Sequence, residues 1–200
     1  MKIYSIFIWL MFIALNFLND VYAHEHLGQV HFAASGKQTA QPNFEKGVLL
    51  LHNFQYDEAR TSFRSAEKID PDFVLAYWGE AMTYNHPLWG EQDYKQAVIA
   101  LAHLAPTALQ RAEKAKTARE KGLINAVNIL FGKGSKATRD SHYVDAMREL
   151  YRANPNDEEI ALLYSLALLG SAESERDARV YMQAAGVAED VYLTHKLHPG

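Results

Sequence analysis

The chain has no cysteine. That absence excludes disulfides, thiolate metal ligands, thiol nucleophiles and a lipid-modified cysteine at the head of a mature chain. Charge of one sign is also missing: 20 Lys and Arg stand against 24 Asp and Glu, a formal net charge of −4 with no long run of either sign. A basic footprint for nucleic acid is therefore not expected. Period-two alternation is scarce, so no strand is needed to place the apolar residues. The chain also lacks His-Glu-x-x-His, Gly-x-Ser-x-Gly, a Walker A loop and an EF-hand loop, and with no nucleophile paired to a base, neither an enzyme nor a cofactor is expected.

What the chain does have is 48% hydrophobic residues in 200, enough for an ordinary core. Part of that fraction lies at the start. Residues 1–23 combine Lys2, a densely apolar stretch from Ile6 to Leu15 and the triplet Val21-Tyr22-Ala23, the layout of an export signal with its cleavage site. The stretch is short for a membrane span. The expected organisation is a signal peptide over 1–23, an extended tail over 24–39 and a helical domain over 40–200. The mature protein is then periplasmic or secreted and has no membrane span.

Helix punctuation divides the domain. Asp57-Glu58 begins a helix with acids in its first turn, Asp70-Pro71 and Asn154-Pro155 each stop one helix and open another, and Gly132-Lys133-Gly134-Ser135 ends a long one, as capping chemistry predicts. The expected helices run over roughly 42–54, 57–69, 72–86, 91–104, 106–131, 138–153, 156–169 and 175–195, joined by short connections that make successive helices antiparallel neighbours.

The chain resembles itself at a fixed period. Gly47, Leu50, Ala59, Phe63, Ala66 and Pro71 fit the tetratricopeptide (TPR) pattern over residues 40–73. Phe44 is matched by Trp78, Gly47 by Ala81, Leu50 by Tyr84 and His52 by His86, at the TPR spacing of about 34 residues. The fold class expected is all-α, a TPR-like solenoid of about four helix hairpins. Three phrases, Leu27-Gly28-Gln29-Val30-His31-Phe32, Leu50 to Phe54, and Ala76 to Met82 followed by Asn85-His86-Pro87-Leu88-Trp89, make residues 24–200 resemble a family of exported bacterial TPR proteins of unassigned activity. Members of that family usually carry Ser-Cys where this chain has Ser35-Gly36, so a role for that thiol does not transfer. They also continue past a His-Pro-Gly like His198-Pro199-Gly200, so the resemblance implies further repeats in a longer protein.

The function expected first is a non-catalytic scaffold that holds a protein or peptide in the cell envelope on its concave surface. The helix-A positions Phe44, Val48, Leu51, His52, Trp78, Met82, Asn85 and His86 would form that surface, with Phe44 and Trp78 as an aromatic platform and the two histidines converging on one ligand. The alternative is a copper-type divalent-metal protein. It would use His24 and His26, which cleavage after Ala23 would place beside a free amine, or the groove histidines. His195-x-x-His198 is a further two-nitrogen candidate. Gly132-x-Gly134-x-x-Ala137 imitates a dinucleotide fingerprint, but without a preceding strand it reads as a helix terminator.

Overall fold

The computed structural model describes residues 27–172 and 177–200. The expected export signal over 1–23 and the pair His24 and His26 lie outside the described residues. Nine α-helices are described: α1 (Gln41–His52), α2 (Tyr56–Ile69), α3 (Val74–Met82), α4 (Tyr94–Leu104), α5 (Ala108–Lys114), α6 (Ala118–Leu130), α7 (Lys136–Ala153), α8 (Glu158–Gly170) and α9 (Ala178–Thr194). The protein is all-α in its architecture. Consecutive helices pack in pairs, α1 on α2, α3 on α4, α6 on α7 and α8 on α9, while α3 also meets α1 and α6 and α8 also meets α7. That sequential packing is consistent with a helical-repeat arrangement. Among the described residues no helix is long and apolar enough to cross a membrane.

Two expected helices end differently. The stretch 106–131 is two helices, because Thr107 and Thr117 each form a capping box, with Gln110 and Glu120 respectively. Each threonine hydroxyl satisfies a backbone N–H that a continuous helix would bond otherwise, which makes a fresh start favourable. The second difference is at residues 72–86, where the helix stops at Met82 and Asn85-His86 pairs antiparallel with Glu91-Gln92 around a single 3-10 turn, Pro87–Trp89. Proline disfavours helical backbone in the residue before it, and Gly90 closes the turn at φ 68°. His86 therefore lies outside helix α3, and its match to His52, the last residue of α1, holds in sequence only.

Phe63 organises the first repeat. It is fully buried, and a Cβ added to Gly47 on α1 would come within 2.6 Å of its ring, one added to Gly79 on α3 within 2.4 Å. Both glycines are thus required by close approach. The ring of α2 wedges between the helices before and after it.

Residues 27–39 are extended but held along the body. The Phe32 ring meets Phe44 and Trp78 at centroid distances of 5.4 and 5.3 Å, and the Arg119 guanidinium lies 4.4 Å above its other side. Ser35 N donates to Glu120 Oε1 at 2.6 Å and Lys37 N to Asp70 Oδ2 at 2.7 Å. Phe44 and Trp78 are therefore core residues, at 0% and 1% exposure. This corrects the expectation of a surface platform: the preceding segment covers both rings, and burial of such large apolar area outweighs its solvation.

One buried carboxyl pair lies between α2 and α3. Glu80 accepts from Arg64 Nε at 2.7 Å through Oε1, whereas its Oε2 and Glu67 Oε1 are buried without an ordinary donor. Burial, then the Glu80 charge and a hydrogen bond to it, push the Glu67 carboxyl well above the usual range. A proton on Glu67 supplies the missing donor.

Two predictions follow from this packing. Phe63→Ala should cost about 3–5 kcal/mol, read as a fall in the urea midpoint at unchanged slope. An acid whose folded pKa is raised stabilises the fold below its unfolded pKa, and that stability is lost progressively as pH rises from the unfolded value to the folded one. Glu67→Gln should accordingly match the parent near pH 4 and melt at a higher temperature near pH 8; equal melting at both pH values would refute the protonated pair.

Candidate metal centre

The far end of α1 and the start of α8 meet across the molecule. Helix α8 is apolar on almost every side, with nine of its residues buried, so it is core all round. Its first turn nevertheless carries Glu158 and Glu159. Asp157 caps the helix by accepting from Ile160 N at 3.0 Å, and Arg119 clamps Asp157 through Nε and Nη2. That anchoring sets the helix start, and with it the position of Glu159.

The Glu159 side chain is completely buried. An ionised carboxylate there needs partners, and it has two. His52 Nε2 lies 2.8 Å from Oε2, and His198 Nε2 lies 3.0 Å from Oε1. Their side chains are only 9% and 3% exposed. The rings meet edge-to-face with centroids 4.8 Å apart. Burial by itself raises the Glu159 carboxyl, but the hydrogen bonds offered by His198 and His52 outweigh it and hold the group down at about 2.

His198 reaches this position through the turn that follows α9. His198 N donates to His195 O at 2.9 Å and Gln29 N donates to Leu197 O at 2.8 Å. Gly28, at φ 90°, approaches so closely that a Cβ would sit 2.6 Å from Leu197 O, which explains the glycine in the Leu27-Gly28 phrase. Asn53 Nδ2 donates to Leu27 O at 3.0 Å. The segment at 27–29 thus fastens the end of α1 to the turn after α9.

One potential ligand atom from each of His52, Glu159 and His198 lies within 4.8 Å of the other two. Two imidazoles and one carboxylate are a donor set used for zinc and for other first-row divalent ions. The expectation of no cofactor is corrected by this cluster. Sequence reading found His52 as a groove histidine and His198 as half of a pair with His195, but missed Glu159, which joins them. His195 goes instead to the neighbouring carboxylate, with Nε2 2.6 Å from Glu158 Oε2.

The other expected surface residues divide. Val48 is core. Leu51, His52, Met82 and Asn85 line one cavity of about 190 Å³. His86 does not join His52; its ring stacks on Tyr56 at 4.0 Å and its Nε2 lies 3.2 Å from Thr83 O. Gly132 to Ser135 form the turn between α6 and α7, with Gly134 at φ 108° and Ser135 capping α7, while Ala137 already lies in that helix. No protein-family model, curated protein or solved structure matches the chain.

If Glu159 holds both rings, Glu159→Ala leaves two buried imidazoles without their acceptor, and should cost about 2–5 kcal/mol. Urea unfolding measures it, and an unchanged midpoint would show that the carboxylate is not needed.

Proposed function

We propose that the protein binds a divalent first-row metal ion, zinc or copper in type, through His52, Glu159 and His198. The observation that carries this reading is the convergence of three ligand-type side chains, drawn from three distant stretches of chain, on one nearly dry position. The proposal takes over the groove-histidine form of the metal alternative. It rests on a TPR-type repeat architecture and an exported location, both of which are supported by the sequence pattern: the 34-residue match of Phe44 to Trp78 and the signal-like residues 1–23. The role proposed is holding or delivering the ion. The scaffold reading loses support where Phe44 and Trp78 are covered.

Loading has a chemical consequence. Gly200 N donates to His198 Nδ1 at 3.0 Å, so in the metal-free state that ring carries its proton on Nε2 and gives it to Glu159. A cation held at Nε2 would take the place of that proton, and the proton the neutral ring would then carry at Nδ1 would oppose the Gly200 N–H. Metal binding and the Gly200 contact are therefore mutually exclusive. The same contact favours a second reading, in which Glu159 is a structural clamp for the two histidines and no metal enters.

Titration of the chelator-treated protein separates the two. The metal reading expects one equivalent of Zn(II) by calorimetry, visible absorption bands with Co(II), and a shifted Gly200 amide resonance. His52→Ala and His198→Ala should each weaken Zn(II) by about tenfold or more with far-UV circular dichroism unchanged. Zn(II) affinity that is equal in the parent and both variants, or a parent that takes up no Zn(II) while the Gly200 amide stays in place, would overturn it and leave the clamp.

A further inference from the structure

The cavity beside the histidine cluster carries features that the metal proposal does not use. It lies between the ends of α1 and α3, the 3-10 turn and helices α8 and α9, and its walls are largely Leu51, Leu88, Leu162, Leu166 and Met82. At about 190 Å³ it is somewhat larger than the roughly 150 Å³ apolar space that admits benzene in another protein.

Tyr56 lines the same cavity, and its hydroxyl is buried with no hydrogen-bond partner among the described residues. An unpaired buried hydroxyl costs about 1–3 kcal/mol, and native structures rarely keep one without a use. Burial pushes the phenol up to about 12, so it is neutral at ordinary pH and has a proton to donate.

Phe54, also in the lining, adds an independent sign. It takes a left-handed backbone, φ 58°, at the end of α1, where Gln55 N bonds Leu50 O at 2.9 Å and Phe54 N bonds Leu51 O at 3.0 Å. Helices that end this way usually place glycine at that position. A phenylalanine there is strained, and its ring is 38% exposed. It meets Trp89 edge-on at 5.6 Å and Tyr56 at 6.2 Å, and Trp89 is itself 58% exposed. Strain is retained here to keep an aromatic ring at the edge of the cavity.

We propose that this cavity binds a small neutral molecule, a single hydrocarbon ring or short chain bearing one hydrogen-bond acceptor such as a carbonyl, with the acceptor on the Tyr56 hydroxyl and the apolar part among the α8 leucines. Phe54 stands in the cavity lining with Trp89 against its ring. His52 borders both sites, yet the cavity site needs no metal, so its fate and that of the metal reading are tested separately.

The test titrates metal-free protein with 4-fluoroacetophenone and with 4-fluoroisopropylbenzene, which has nearly the same outline and no acceptor, followed by fluorine NMR. The ketone should bind with a Kd of about 0.1–1 mM, the range open to ten or so non-hydrogen atoms, and more tightly than the hydrocarbon. Tyr56→Phe should weaken the ketone about tenfold, leave the hydrocarbon unchanged and keep or raise the melting temperature of the ligand-free protein. Leu166→Trp, which fills the space, should abolish both while far-UV circular dichroism is preserved. Failure of both probes to bind the parent, ketone affinity unchanged in Tyr56→Phe, or undiminished binding in Leu166→Trp would each overturn the proposal.

Discussion

A carboxylate withdrawn from water must be answered by donors, and the arrangement around Glu159 follows from that requirement. Its position on the second residue of α8 is set by the Asp157 cap. Its donors come from 107 residues earlier, at His52, and 39 later, at His198. Helix α1 must therefore end where it does, and the turn after α9 must fold back over α8. The Leu27–Gln29 segment fixes that turn by backbone hydrogen bonding and fixes α1 through Asn53. One desolvated charge thus ties together stretches that helix packing alone would leave free to slide.

The same region holds the cavity, for a related reason. The helices that deliver His52 and Glu159 present leucines beside them, because α8 is apolar around most of its circumference. A polar cluster at one end of such a helix leaves an apolar wall next to it. Nitrogen and oxygen ligands then adjoin a space suited to hydrocarbon, with His52 belonging to both.

Much of the helical framework was legible from local chemistry. Asp70-Pro71 and Asn154-Pro155 mark helix boundaries whatever surrounds them, and Phe63 reads as a wedge because small residues recur at the spacing of its neighbours. The division at residues 115–117 was also written in the chain, as Thr-x-x-Gln and Thr-x-x-Glu, but strong helix formers on both sides masked it. Glu159 was harder to find. Its one local signal is that Leu162 and Leu163, three and four residues on, share its helix face; with both buried, the acid beneath them must be buried too.

The amino-acid sequence by itself determined that the protein is helical, where most helices start and stop, and that Phe63, Gly47 and the alanines of α2 form a close-packed hairpin, since these depend on caps, φ preferences and periods of a few residues. Only the tertiary structure decided which histidines act together. His52 and His86 look equivalent at a period of 34 residues, yet one ends a helix beside a buried carboxylate and the other stacks on Tyr56. His195 and His198, three residues apart, turn to different glutamates. Convergence of side chains from distant segments is set by how helices pack, and packing responds to the summed burial of many residues rather than to any local pattern.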